Sequence, residues 1–156
     1  MSETLTVGAP APEFSLPTAG GGSIDLASLK GKAVVLYFYP KDDTPGCTKE
    51  AIDFNRLRRE FEAAGAVILG ASPDSVASHD KFRKKHGLEL ELAADEKTSM
   101  LSAYGVWGQK SMYGKTFMGV ARTTVLIDAE GRIARVWDKV KVDGHADEVL
   151  AAVKAL

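Results

Sequence analysis

The apolar positions of this chain fall into two rhythms. Residues 33–39, AVVLYFY, and 66–72, AVILGAS, are short, unbroken, β-rich apolar runs, the pattern of strands buried on both faces. Between and after them the spacing stretches towards 3.6. In TKEAIDFNRLRREFEAAG the apolar residues Ile52, Leu57, Phe61 and Ala64 share roughly one stripe that stops at Gly65, which predicts an amphipathic helix with a glycine at its end. SPDSVASHDKFRKKHG predicts a second helix, closing in basic residues and Gly87. A short strand near Leu90 and a helix around Thr98–Tyr104 follow, then a hairpin in TTVLIDAEGRIARVWD turning at Ala129–Gly131, then a closing helix in HADEVLAAVKAL. Ahead of all this, APEFSLPTAGGGSIDLASLKGK reads as two short strands joined by Gly20–Gly22. Strand–helix–strand units followed by a hairpin and a helix imply a mixed central sheet flanked by helices, an α/β fold of the thioredoxin-like kind with an N-terminal β-hairpin.

Composition adds bounds. The 156 residues show no repeat, linker or low-complexity tract and read as one domain, 1–156, with 45% hydrophobic and 26% charged residues. A formal net charge of −1 provides no field to recruit nucleic acid or an anionic membrane. The longest apolar run is far too short to span a bilayer, and MSETLTVGAP has neither the basic nor the apolar part of a secretory signal. One cysteine, Cys47, excludes an intramolecular disulfide and fits a reducing compartment, so the expected location is the cytoplasm.

Cys47 is also the candidate chemistry. It stands where a strand turns through YPKDDTPGC into a helix, so its sulfur meets the unpaired N–H groups and positive end of that helix. Pro45 suits a first helical turn, where its missing N–H would be unpaired in any case. A lone cysteine is more often an inert core thiol, and position alone leaves that reading open.

Pro40, Thr44 and Cys47 spell P-x-x-x-T-x-x-C, and with this motif the chain resembles the peroxiredoxins. YFYPKDDTPGCTKEA, SPDSVASHDKF, MYGK, RTTVLID and KVKVDGHADEVL extend the resemblance to the PrxQ, or bacterioferritin comigratory protein, subfamily over essentially the whole chain. The resemblance implies a peroxidase without metal or prosthetic group that reduces hydrogen peroxide and organic hydroperoxides through a Cys47 sulfenic acid. By position, it implies that Thr44 holds the incoming peroxide, Pro40 shields the thiolate from water, and Arg122 supplies a fixed positive charge. Lowering a thiol pKa from ~8.5 to about 6 raises its thiolate fraction at neutral pH only roughly 30-fold, whereas enzymes commonly supply about a million-fold or more. Positioning and transition-state electrostatics therefore outweigh ionisation.

The chain departs from the subfamily where many members carry a second, resolving cysteine. Those positions are Ile52 and Arg83 here. The expectation is a one-cysteine enzyme, monomeric like its subfamily, reduced by an external thiol such as thioredoxin, glutaredoxin or glutathione. Its rival is a redox relay that passes oxidation to a partner by mixed disulfide, since a long-lived sulfenic acid is what a relay needs. A non-catalytic binding or chaperone module conflicts with the joint presence of Pro40, Thr44, Cys47 and Arg122.

Other signals read as structure. TPGC has thioredoxin spacing with threonine in the first slot, which excludes dithiol exchange. GQKSMYGKT has one residue too many for a phosphate loop. His79, His86 and His145 are expected as solvated histidines without metal-ligand spacing, and Asp42 and Asp43 as turn residues. Trp107, Met112, Tyr113, Phe117 and Met118 are expected to pack in the core, the alternative being a pocket wall or a reductant-docking patch.

Overall fold

The computed structural model describes residues 5–156, leaving aside the side chain of Met112. Its centre is a five-stranded sheet in the order β5–β4–β3–β8–β9, built from β3 (Ala33–Phe38), β4 (Ala66–Ser72), β5 (Glu91–Ala94), β8 (Thr123–Ile127) and β9 (Ile133–Trp137). β3 runs parallel to β4 and β4 to β5, while β8 is antiparallel to both β3 and β9. Five α-helices among the described residues accompany it: α1 (Pro45–Arg56), α2 (Arg58–Ala63), α3 (Val76–His86), α4 (Ser99–Ala103) and α5 (His145–Lys154). The expected mixed sheet is therefore present, and so is the N-terminal hairpin, as β1 (Ser15–Pro17) and β2 (Ser23–Asp25).

All six residues of β3 are buried, because alternate side chains serve two cores. Val35 and Tyr37 pack with Phe54 of α1, Phe61 of α2, Phe82 of α3 and Val149 of α5. Val34, Leu36 and Phe38 pack on the other side with Met100 and Leu101 of α4 and with Leu5, Ala11 and Phe14. Tyr37 needs room that only glycine gives: a Cβ on Gly70 of β4 would lie 2.7 Å from the tyrosine ring.

Three expectations need correction. The long helix predicted after Cys47 breaks at Leu57, and Ile52, assigned to its apolar stripe, is 43% exposed. The inward face of α1 is instead Cys47, Glu50, Ala51 and Phe54, a true three-and-four spacing that hydropathy hides because one member is a glutamate. The segment around Trp107–Met118 is not core. It forms a separate hairpin, β6 (Trp107–Met112) and β7 (Lys115–Val120), with Tyr113 96% exposed and Phe117 and Met118 exposed too; Trp107 packs partly against the second core. Met112, whose side chain lies outside the described residues, neither supports nor opposes that reading. Finally, His79 and His145 are buried rather than solvated. His145 bonds Thr124 at 2.8 Å, and the partners of His79 belong to the site.

The topology gathers one edge. β3 and β4 end on the same side because they are parallel, and β8 begins there because it is antiparallel to β3. The pairing of Phe38 with Thr123 sets Arg122, one residue before β8, against the loop that leaves β3.

Candidate active site

That loop, residues 39–44, leads into α1, and Cys47 is the third residue of the helix. Thr44 is the residue before the helix, with extended backbone (φ −93°, ψ 156°), but its side chain does not cap the helix. Its hydroxyl turns back instead and donates to Lys41 O at 2.9 Å. The first N–H groups of an α-helix have no partner within the helix, and the Thr44 side chain caps none of those of α1. Pro45 occupies the first turn, where proline removes no needed donor.

Arg122 joins the sulfur to a buried carboxylate. Its Nη2 donates to Cys47 Sγ at 3.2 Å and its Nη1 to Glu50 Oε1 at 2.6 Å. Gly46 eases the approach, since a Cβ there would stand 3.3 Å from Nη2 and push the guanidinium back by a few tenths of an ångström. Cys47 and Glu50 are respectively 2% and 1% exposed. Burial raises the Glu50 carboxyl to about 7, against the pull of the Arg122 charge. Burial also opposes the Arg122 charge, but Glu50 and Cys47 outweigh it and hold the guanidinium above its ordinary range. Glu50 Oε2 and the nearby Tyr37 hydroxyl are the two buried side-chain polar atoms with no partner among the described residues. Burial first, then the charges of Glu50, Asp42 and Cys47, drives the Tyr37 pKa well above that of an ordinary phenol, keeping it neutral.

Behind the loop lies a buried polar network. Asp42 accepts from the Tyr39 hydroxyl at 2.6 Å and the Ser78 hydroxyl at 2.8 Å, and lies 2.7 Å from His79 Nδ1. His79 Nε2 donates to Ala93 O at 2.9 Å, since that carbonyl only accepts. Asp42 is thus no ordinary turn residue. Asp43 is one, at φ 61°, and it ties the exposed loop to Lys85 and His86 at the end of α3.

The structure therefore brings Cys47 and Arg122 into direct contact and sets Thr44 on the residue that opens the Cys47 helix. Pro40 is partly buried near the start of the same loop. Glu50 and His79 were missed. The TKE spacing, with Glu50 three residues after Cys47 on one helix face, was the available signal for the first; a histidine four residues beyond a capping serine gave none for the second.

The fold thus holds the one cysteine of the chain against an arginine at a helix start. A family model described as AhpC/TSA family matches residues 7–136. Peroxiredoxin Bcp of Xanthomonas campestris pv. campestris is 50% identical over 94% of this chain and 92% of its own length. Peroxiredoxin Bcp of Bacillus subtilis is 46% identical over 97% and 96%. Among solved structures, the X. campestris bacterioferritin comigratory protein, seen in trapped intermediate and ligand complexes bearing on its alkyl peroxide reduction, superposes with a TM-score of 0.90 at 45% identity. It covers 96% of this chain and 98% of that one. The chain belongs to the AhpC/TSA family.

Proposed function

We propose that Cys47 is the peroxidatic nucleophile of a one-cysteine peroxidase that takes hydrogen peroxide and alkyl hydroperoxides and is reset by an external thiol. The contact of Arg122 Nη2 with Cys47 Sγ at 3.2 Å carries the reading, with the alkyl peroxide reduction of the X. campestris relative as support. The thiolate attacks the terminal peroxide oxygen. The S–O bond forms as the O–O bond breaks, and the departing alkoxide or hydroxide takes a proton to leave as alcohol or water. Arg122, a fixed planar donor, stabilises the charge that spreads across the breaking bond. Thr44, whose proton is committed to Lys41 O, presents lone pairs to the peroxide O–H, while Pro40 closes the site to bulk water. The sulfur's burial restricts access to small or linear hydroperoxides.

The sulfenic acid then condenses with one external thiol to a mixed disulfide and water, and a second thiol releases Cys47. No cysteine of this chain can serve, since Ile52 and Arg83 occupy the positions where relatives of the subfamily resolve. The reductant belongs to the thioredoxin, glutaredoxin or glutathione class, and the enzyme works as a cytoplasmic monomer. No helix among the described residues is long and apolar enough to cross a membrane. Steady-state peroxide consumption against a panel of these thiol donors tests the reading. Many turnovers per chain with at least one donor are expected. Consumption of a single equivalent per chain with every donor would replace the enzyme by a relay that hands its oxidation to a protein partner.

A further inference from the structure

We infer that Asp74, in the loop after β4, is a positioning residue that orients the Thr44 hydroxyl through a single peptide group. The inference rests on the role proposed above for Thr44. Asp74 Oδ2 accepts the backbone N–H of Asp42 at 2.8 Å. The carbonyl of that same peptide unit is Lys41 O, the acceptor of the Thr44 hydroxyl at 2.9 Å. A peptide group is planar and rigid, so fixing its N–H fixes the direction of its carbonyl. Bonding the N–H to a carboxylate also polarises the amide and strengthens the carbonyl as an acceptor.

The consequence lies in the direction of one proton. Lys41 O can only accept, so Thr44 must donate to it, and the threonine oxygen is left as an acceptor. A peroxide bound there must place its own O–H towards Thr44. Without the Asp74 bond the 41–42 peptide is free to tilt, the hydroxyl to rotate, and its proton to occupy the place the peroxide needs. Asp74 is itself fixed: the Ser72 hydroxyl donates to the same Oδ2 at 2.7 Å and Ser72 Oγ accepts the Asp74 N–H at 3.2 Å. The rest of the loop has separate anchors, because the Asp42 side chain is held by Tyr39, Ser78 and His79. Removing Asp74 therefore loosens one peptide group and leaves the loop attached.

Both contacts to Asp74 fall on one oxygen, which separates orientation from charge. Asparagine retains a carbonyl-type oxygen able to accept from Asp42 N–H and Ser72 alike; alanine retains none. The second-order rate at which the reduced protein consumes hydrogen peroxide in a single turnover, read by rapid quench and intact mass, involves no reductant. Asp74→Ala is expected to be slower by about tenfold, the scale of a small misplacement in a preorganised site, and Asp74→Asn to stay within about twofold of the wild type. Asp74→Ser is run beside the alanine variant, and circular dichroism selects the one that is natively folded. In a Thr44→Val background the Asp74 substitution is expected to have no further effect, since coupled positions are not additive. The same tenfold loss in both backgrounds, an asparagine variant as slow as alanine, or a wild-type rate for Asp74→Ala beside a slow Thr44→Val would each overturn the inference while leaving Thr44 its role. A wild-type rate for Thr44→Val alone would overturn that role and the inference with it.

Discussion

α1 and α3 both follow a buried parallel strand, and each is preceded by a hydroxyl residue, yet the two hydroxyls are used differently. Ser75, before α3, accepts the N–H of Ser78 at 3.1 Å, and Gly87 ends that helix in the left-handed region at φ 62°. Thr44, before α1, gives its helix no side-chain bond and donates to the loop instead. α3 is closed at both ends and serves as the wall to which the loop is tied through His79, Ser78, Lys85 and His86. α1 is left open where its N–H groups and Cys47 face the site. A helix that keeps its first donors free gives up stability of about 1 kcal/mol and gains a place where negative charge is favoured.

Substitutions that remove the chemistry of α1 should have the largest effects. Cys47→Ser is nearly isosteric, and peroxide turnover is expected to fall to background while the circular dichroism spectrum stays native; turnover above background in a steady-state assay would remove Cys47 from its role. Arg122→Lys keeps a charge but loses the fork that reaches Cys47 and Glu50 together. Its single-turnover rate should fall about 100-fold, the scale of a lost transition-state donor, and a near-wild-type rate would mean that charge alone suffices.

Glu50 sharpens the comparison through pH. Its carboxyl is raised from 4.5 to about 7 in the folded chain, so the native state keeps a proton that the unfolded chain has already released. Stability from this group is fully present below pH 4.5 and is lost as pH rises towards 7. Glu50→Gln removes that dependence. Thermal melts from pH 4.5 to 8 should show wild-type Tm declining relative to the variant across this window, and parallel curves would place Glu50 outside the buried pair. The smallest effect belongs to α3. Ser75→Ala should cost about 1 kcal/mol in chemical denaturation with peroxide turnover unchanged, and a loss of turnover would show that the α3 cap is not purely structural.

The strands and the helix start that carries Cys47 were legible because their signals are local. AVVLYFY and AVILGAS are apolar without interruption, and the polar turn with Pro45 that follows the first of them marks the helix start at Cys47. What escaped was set by distant partners. Glu50 reads as a surface charge until Arg122, 72 positions away, enters to neutralise it. His79 reads as a solvated helix residue until Asp42 and Ala93 close around it. Ile52 reads as core by hydropathy, although its helix turns the charged Glu50 inward in its place. The β6–β7 hairpin escaped for a different reason: Phe117 and Met118 carry apolar bulk on a ribbon that packs few neighbours, so an apolar pattern there does not report burial.

Intact mass of the purified protein after one equivalent of peroxide, followed by a monothiol, tests the central claim most directly. The chain should gain one oxygen on Cys47 and form no internal disulfide, then carry one thiol adduct, and return to its starting mass with a second equivalent of thiol. Excess peroxide without thiol should carry Cys47 on to two and three oxygens. A mass that does not change on peroxide treatment would contradict the account, because it would make Cys47 an inert core thiol despite the arginine beside it.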